Sequence, residues 1–173
     1  LFSMLIISCK KDEDIPEVKL ATIKEEIASR SDLTLIDLSV QKSGLSSKLD
    51  SVAASLTLLA PTNEAFIASK IDATLINSLS SDQMKAIVLY HIISAKYIAS
   101  ELPDGPNAKI TTASGDSVFV TKNSAGVYVN GIKVQTANIV ASNGVIHTIS
   151  KVLIPPVGNL VEAVLADTTL TYL

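Results

Sequence analysis

The fold of this chain depends most on the stretch Thr57-Leu58-Leu59-Ala60-Pro61-Thr62-Asn63-Glu64-Ala65-Phe66. The apolar run Leu56–Leu59 predicts a buried strand, and Pro61 ends that strand because proline has no N–H to donate to a strand ladder. A helix follows, since Thr62 or Asn63 can accept a hydrogen bond from a free N–H of its first turn. Ala60 is small enough to let the strand and the helix approach closely. The stretch therefore predicts a strand followed at once by a helix.

A second informative stretch is Asn143-Gly144-Val145-Ile146-His147-Thr148-Ile149-Ser150-Lys151-Val152-Leu153-Ile154-Pro155. Asn143-Gly144 predicts a turn with positive φ before a strand. His147 alternates with Val145 and Ile149, so the three side chains share one face of that strand. If the face is inward, the imidazole must be hydrogen-bonded. This favours a structural role for His147 over a catalytic or ligand-binding one.

Hydrophobic spacing separates helices from strands along the rest of the chain. Helical spacing runs from Val18 to Val40, with an N-cap predicted at Ser31 or Asp32. Asp72 and Ser80-Ser81-Asp82 mark the starts of two more helices, the second of which continues to His91 and Ile92. A loop is predicted at Pro103–Asn107 and a hairpin turn at Asn130-Gly131. The predicted strands after that loop are Ser117–Thr121, Val127–Val129, Ile132–Val134, Ile139–Val140, Val145–Ile149 and Val152–Ile154. Helices followed by strands indicate an α+β fold.

Composition excludes several classes of function. The 173-residue chain has 14 basic and 17 acidic residues and a net charge of −3, which argues against a nucleic-acid partner. Its one cysteine and two histidines argue against a disulfide framework and against a metal centre. No nucleophile-elbow, zinc-protease or dinucleotide motif occurs, and Ser114-Gly115-Asp116-Ser117 predicts a hairpin turn. We expect a protein that is not an enzyme and holds no cofactor or metal.

The N-terminal residues indicate export. Residues 1–8 are apolar and end in a small residue before Cys9, after which the sequence is charged. Ile6-Ile7-Ser8-Cys9 resembles a bacterial lipobox, so residues 1–8 are predicted to be a signal-peptide remnant and residues 9–17 a tether lipidated at Cys9. A thiol can accept a diacylglycerol, whose acyl chains anchor a protein at about 0.8 kcal/mol per buried methylene. The alternative is a buried apolar element with an inert core cysteine.

The last residues repeat the pattern of the first helices. Thr22–Ile36 aligns with Asn159–Leu173, and the identities are Glu25/Glu162, Leu33/Leu170 and Thr34/Thr171. Since this similarity follows directly after Pro155-Pro156, residues 157–173 are predicted to begin a second, truncated copy of a domain spanning 18–156. The alternative is a C-terminal helix that packs on the single domain.

Three elements together resemble fasciclin domains in their order and approximate spacing. They are Thr57–Phe66, the Tyr90-His91 pair and Asn143–Pro155. Leu59 stands where the family usually has Phe, and Ser150 where Asp is common. The resemblance implies an α+β fold in which N-terminal helices pack against a C-terminal, antiparallel-rich sheet or wedge. The structural motif residues that it implies are Thr57, Ala60, Pro61, Thr62, Asn63, Phe66, Asn143, Gly144, His147 and Pro155.

The resemblance also implies a non-enzymatic adhesion or binding module at the cell envelope. In animal members the Tyr-His element is implicated in integrin-dependent adhesion, so Tyr90 and His91 are candidate interaction residues. The alternative is that both rings are buried between helix and sheet. Expected partners are the membrane through the lipid on Cys9, a matrix protein or glycan, and a tandem fasciclin-like domain, at the outer membrane or cell surface. A different class also stays open: an accessory lipoprotein that presents a saccharide or other nutrient to an outer-membrane transporter.

Overall fold

The computed structural model describes residues 19–156. The predicted signal remnant, the tether with Cys9 and the predicted second copy at 157–173 lie outside the described residues. The helices are α1 (Ile23–Ser29), α2 (Thr34–Lys42), α3 (Ser46–Asp50), α4 (Asn63–Ala68), α5 (Ala73–Ser78) and α6 (Ser81–Tyr90). The strands are β1 (Leu56–Pro61), β2 (Ile92–Ile93), β3 (Gly105–Thr111), β4 (Ser117–Asn123), β5 (Gly126–Val129), β6 (Ile132–Ala141) and β7 (Gly144–Ile149).

All of these strands form one 7-stranded sheet in the order β2-β1-β7-β6-β5-β4-β3. Neighbouring strands are antiparallel except β1 and β7, which run parallel from the pair Leu56 and Gly144 to the pair Pro61 and Ile149. The α+β fold and its antiparallel-rich sheet are confirmed. The stretches Thr57–Phe66 and Asn143–Pro155, here called the signature stretches, are far apart in sequence, yet they contribute adjacent strands.

The central strands β1 and β7 are buried along their whole length because they lie between two apolar cores. On one face, Leu58, Ala60 and Ile146 pack with the helices. On the other face, Leu59 and Ile149 pack with apolar residues of β3, β4 and β5. A strand covered on both faces lacks the usual alternation of apolar and polar residues, and β1 is apolar except for Thr57.

Helix starts follow the capping chemistry that the sequence indicates. At α1, the Thr22 hydroxyl accepts from the Glu25 N–H at 3.2 Å, and the Glu25 carboxylate accepts from the Thr22 N–H at 2.8 Å. This reciprocal pair satisfies two N–H groups of the first turn. The predicted starts at Asp72 and Ser80 are confirmed, since each side chain caps the helix that follows it.

The predicted N-cap at Ser31 or Asp32 is wrong. Both residues lie in a 3₁₀ turn, Ser31–Leu33, that leads directly into α2. The residue before α2 is Leu33, whose side chain cannot accept a hydrogen bond. The first turn of α2 therefore needs an acceptor from elsewhere in the chain, and Asn63 supplies it, as described below.

Other predictions also differ from the structure. The last of the helices, α6, ends at Tyr90, so Ile92 lies in β2 and not in that helix. The two strands predicted at Ile132–Val134 and Ile139–Val140 are parts of one strand, β6. Residues 152–154 are not a strand, because the chain leaves the sheet after β7 and its N–H groups bond to side chains of the helical layer instead. Residues 103–107 were predicted to be a loop, but β3 already begins at Gly105. By contrast, the Asn130-Gly131 hairpin turn is confirmed, with φ of 49° and 77° at its two residues.

Gly144 lies where β7 begins, at the closest approach of β7 to β1. A Cβ at this position would overlap the Leu56 carbonyl oxygen and lie 2.9 Å from Ile23 Cδ1. Gly144 follows a turn and has a positive φ of 159°, as the sequence predicts, although this angle is nearly extended and Asn143 has no positive φ. Glycine is required here because a side chain would hold the two central strands apart.

We expect Gly144→Ala to lower the free energy of unfolding by about 3 kcal/mol, because backbone cannot move aside as a flexible side chain could. The measurement is urea unfolding at pH 7.5. Gly115→Ala is the control, since Gly115 has a φ of 96° but open space around its Cα. That control should lose only about 1 kcal/mol from backbone strain. Equal losses in the two variants would contradict the overlap.

Candidate functional site

The signature stretches Thr57–Phe66 and Asn143–Pro155 meet the Tyr90-His91 pair at the end of α6; we call these three the signature elements. The Leu59 N–H of β1 donates to the His91 carbonyl at 2.9 Å. The Leu153 N–H, beyond β7, donates to the His91 imidazole at 2.9 Å. His91 therefore contacts both of the other elements, and the structure brings the three together into one site.

Tyr90 is buried, with only 3% of its surface exposed. Its hydroxyl donates to the Ser117 carbonyl at 3.1 Å and accepts from Asn130 Nδ2 at 3.0 Å. The other amide atom of Asn130, Oδ1, accepts from the Phe119 N–H at 2.8 Å. Tyr90 thus connects the end of α6 to β4 and to the β5–β6 turn.

His91 is buried and makes two hydrogen bonds that require one tautomer. Its Nδ1–H donates to the Ile87 carbonyl at 2.8 Å, which leaves Nε2 to accept from the Leu153 N–H. Burial lowers the pKa of His91 from 6.5 to about 4, and the bond to the Ile87 carbonyl opposes that shift only in part. A protonated ring would lose its acceptor and place an N–H against the Leu153 N–H.

His147 is fully buried and holds the opposite tautomer. Its Nε2–H donates to the Tyr97 carbonyl at 2.8 Å, and its Nδ1 accepts from the Asn138 N–H at 3.2 Å. Burial lowers the pKa of His147, while the Tyr97 carbonyl opposes this in part. The sequence predicts that an inward-facing His147 must be hydrogen-bonded. In the structure His147 is buried, and both of its ring nitrogens have hydrogen-bond partners.

Thr57 and Asn138 hold the same segment as His147 does. The Thr57 hydroxyl donates to the Ala95 carbonyl at 2.7 Å and accepts from the Tyr97 N–H at 2.8 Å. Asn138 Oδ1 accepts from the Ala99 N–H at 2.7 Å. Residues 95–99 are therefore fixed to β1, β6 and β7 by side chains. The sequence does not reveal the role of Asn138, although its φ of 61° is of the kind that asparagine tolerates.

Thr62 and Asn63 serve two different helices. Thr62 Oγ1 accepts from the Ala65 N–H at 3.2 Å and caps α4. Asn63 does not cap α4: its Oδ1 accepts from the Leu35 N–H at 3.0 Å, and its Nδ2 donates to the Ser31 carbonyl at 2.9 Å. Asn63 therefore caps α2 from a distant part of the chain, which sequence spacing cannot indicate.

Asn143 joins the start of β7 to the N-terminal helices. Its Oδ1 accepts from the Ile23 N–H at 2.8 Å, and its Nδ2 donates to the carbonyls of Leu49 at 2.8 Å and Ser51 at 3.0 Å. The side chain is buried, so these bonds replace the water that an exposed amide would have. The remaining motif residues have no hydrogen-bonding side chain. Ala60 and Phe66 pack in the helix-side core, Pro61 is the last residue of β1, and Pro155 is half-buried.

A surface depression of about 560 Å³ lies beside Tyr90. It is lined by Tyr90, Asn107, Ser117, Phe119, Asn130, Gly131 and Pro156. Phe119 is 45% exposed, while Val118 and Val120 on either side of it are buried. The alternation of β4 was visible in the sequence and places Phe119 on the outer face, yet the depression itself was not predicted.

In the described part of the chain, both histidines bond to backbone groups. Neither histidine bonds to a serine, a threonine or a carboxylate within residues 19–156. The same residues contain no group of three or more His, Cys, Asp or Glu that could hold a metal ion. Residues 114–116 lie in the β3–β4 turn, where Ser114 Oγ accepts from the Asp116 N–H at 3.2 Å, and Ser117 begins β4. Within this part of the chain, no helix is long and apolar enough to cross a membrane.

Comparison with known proteins gives a consistent result. A model of the fasciclin domain family matches residues 31–155. "Protein sll1483" of Synechocystis sp. is 31% identical over 139 residues, which are 78% of this chain and 74% of that protein. Human periostin is 31% identical over 106 residues, 60% of this chain and 13% of periostin. Transforming growth factor-beta-induced protein ig-h3 of Sus scrofa is 29% identical over 139 residues, 79% of this chain and 20% of that protein.

A solved structure shows the same fold. A FAS1 domain pair from the insect cell adhesion molecule fasciclin I superimposes with a TM-score of 0.65 at 16% identity. The superposition covers 79% of this chain and 52% of that one. The chain thus spans about half of the domain pair and a fifth or less of the two animal relatives.

Acid should destabilise the fold through His91. Because burial lowers its folded pKa to about 4, the unfolded chain binds a proton below pH 6.5 while the folded chain stays neutral. The contribution of His91 to stability should be constant above pH 6.5 and fall by about 3 kcal/mol between pH 6.5 and 4. Urea unfolding of wild type and His91→Gln at several pH values measures this. The variant should be less stable at pH 7.5 but lose less on acidification, and parallel pH profiles would contradict the assignment.

Asn63→Ala should lower the free energy of unfolding by about 1–2 kcal/mol, because Leu35 N–H and Ser31 C=O lose their partner. Hydrogen exchange separates the two capping assignments: the Leu35 amide should exchange faster in this variant, and the Ala65 amide should not. Thr62→Ala is the matched control and should show the reverse. Faster exchange at Ala65 in Asn63→Ala would contradict the role in α2.

Proposed function

This chain belongs to the fasciclin domain family, and from that premise we propose that it is a non-enzymatic adhesion or binding module displayed at the cell envelope. Fasciclin domain proteins are generally cell-adhesion or binding modules and are typically extracellular or secreted. In this proposal a lipid on Cys9 anchors the chain to the outer membrane or cell surface. The module contacts a matrix protein or a glycan by surface complementarity.

The observation that carries the proposal is that the polar signature residues have partners inside the fold. Within residues 19–156 no buried side-chain nitrogen or oxygen lacks a hydrogen-bond partner. Tyr90, His91 and His147 connect segments of backbone and leave no unpaired group aimed at a substrate. Recognition must then use the outer surface of the sheet and its turns. This arrangement supports a binding module and gives no support to a hydrolase.

The burial of Tyr90 and His91 changes how the Tyr-His element could act in adhesion. With 3% and 1% of their surfaces exposed, these side chains offer almost nothing to a partner directly. Tyr90 instead fixes Asn130 and the backbone of β4, which lie at the surface depression. In the proposal the pair positions that surface and does not itself make the contact.

The second part of the proposal is a tandem arrangement, in which residues 157–173 begin another fasciclin-like copy. Its support is the similarity between Thr22–Ile36 and the last residues of the chain. Linked copies raise the effective concentration of each binding surface, so weak individual contacts give useful avidity.

Anchoring is tested by expressing the chain behind a complete lipoprotein signal sequence in a Gram-negative host. Wild type should incorporate labelled palmitate and be cut by protease added to intact cells, because Cys9 carries the lipid and the module faces outward. Cys9→Ala should lose the label and leave the membrane fraction, whereas Lys10→Ala, which keeps the thiol, should behave as wild type. Equal labelling of Cys9→Ala would contradict lipidation at this residue.

The same cells test adhesion. Cells that display wild type should aggregate or bind to coated surfaces more than cells that express Cys9→Ala, since a released module cannot hold a cell. If wild type is protected from protease until the outer membrane is opened, the surface role is contradicted. The accessory role beside an outer-membrane transporter would then be favoured.

A further inference from the structure

We propose that the surface depression beside Tyr90 is a binding site for an uncharged saccharide. This inference rests on the proposed function and names the class of ligand. The depression, of about 560 Å³, is large enough for one or two sugar rings. Its occupant is argued from the chemistry of the residues that line it.

The depression carries an exposed aromatic ring. Phe119 points away from the core formed by Val118 and Val120 and is 45% exposed at the edge of the depression. A single exposed aromatic residue is common in proteins, but this one stands beside polar side chains in a concave surface. The apolar face of a sugar ring can stack on such a ring and remove it from water.

Polar groups surround this ring. Asn107 presents an amide and Ser117 a hydroxyl, and no hydrogen bond joins either side chain to another group within residues 19–156. Sugar hydroxyls both donate and accept, so an amide and a hydroxyl are suitable partners. None of the lining residues carries a charge, which favours a neutral saccharide over an anionic one.

Hydrogen bonds hold the floor of the depression in place. Asn130 is held by the Tyr90 hydroxyl through Nδ2 at 3.0 Å and by the Phe119 N–H through Oδ1 at 2.8 Å. The Asn130 N–H also donates to the Phe119 carbonyl at 2.8 Å. The backbone beneath the aromatic ring is therefore fixed by the buried Tyr90. A surface that is ordered before binding loses less entropy on binding.

The test uses the whole chain and a panel of named sugars. Maltotriose, cellotriose, xylotriose and N,N′-diacetylchitobiose are the neutral probes, and trigalacturonic acid is the anionic one. Saturation-transfer and chemical-shift NMR report binding and its location. We expect at least one neutral probe to shift Phe119, Asn107 and Ser117 resonances and to bind more tightly than the anionic probe.

Three variants and one control locate the site. Phe119→Ala should raise the dissociation constant about 10-fold or more, while Phe119→Tyr, which keeps the ring, should bind within a factor of a few of wild type. Asn107→Gly removes the amide but keeps the left-handed backbone, whose φ is 56°, and should also weaken binding. Ile67→Ala removes an exposed apolar side chain on α4, away from the depression, and should bind as wild type.

Several results would overturn the proposal. These are the absence of any response to the neutral probes, preference for the anionic probe, and binding that survives both Phe119→Ala and Asn107→Gly. Nuclear Overhauser contacts from the Phe119 ring to residues 157–173 would show that the chain itself fills the depression. Dimerisation that Phe119→Ala abolishes would assign the depression to a second copy. None of these outcomes contradicts the adhesion proposal, because its ligand can also be a protein. The adhesion proposal is decided separately by the experiment with cells that display the chain.

Discussion

The parallel pairing of β1 with β7 is the constraint on which the rest of the structure depends. These strands come from distant parts of the chain, and together they separate the helix-side core from the sheet-side core. The pairing requires a close approach at Gly144, where the Leu56 carbonyl leaves no room for a side chain. Because both strands are buried on both faces, every polar group on them must find its partner within the protein.

The signature polar residues meet that requirement, and in doing so they hold the irregular segments. Thr57 and His147 fix residues 95–99, His91 fixes the chain after β7, and Asn143 fixes α1 and α3. Hydrogen bonds of this kind contribute about 1 kcal/mol each when made, and leaving one partner buried and alone costs more. The signature of the fold is therefore a set of connections between backbone segments. In our proposal, recognition uses residues outside the signature, such as Phe119 and Asn107 at the surface depression.

Much of the fold could be predicted from the sequence because local rules decide it. The apolar run of β1, the caps at Asp72 and Ser80, and the Asn130-Gly131 turn each depend on neighbouring residues alone. Contacts between residues that are distant in sequence could not be predicted from local rules. Asn63 has the side chain of a helix cap, but its helix is α2, brought to it by tertiary packing. Residues 152–154 have the composition of a strand, yet Ser69 and His91 hold their N–H groups away from the sheet.

The sequence predicted the buried residues of the candidate site but not its surface depression. Tyr90, His91 and His147 were identified, and the sequence left open whether Tyr90 and His91 are exposed; the structure buries all three. Asn130 was recognised as a turn residue, while its bond to Tyr90 depends on packing α6 against the β5–β6 turn. Phe119 lies on the outer face of β4 by simple alternation, but a concave surface around it requires β3, β4 and the end of the described chain to converge.

The most direct test of the central claim is the protonation state of the two imidazoles. Long-range proton–nitrogen correlation NMR at pH 7 identifies which nitrogen of each ring carries the hydrogen. We expect His91 to carry it on Nδ1 and His147 on Nε2, with both rings neutral and each held in a single tautomer. Rings that average between tautomers and titrate as free histidine would show that these residues do not connect the segments around the central strands, and would contradict this account of the fold.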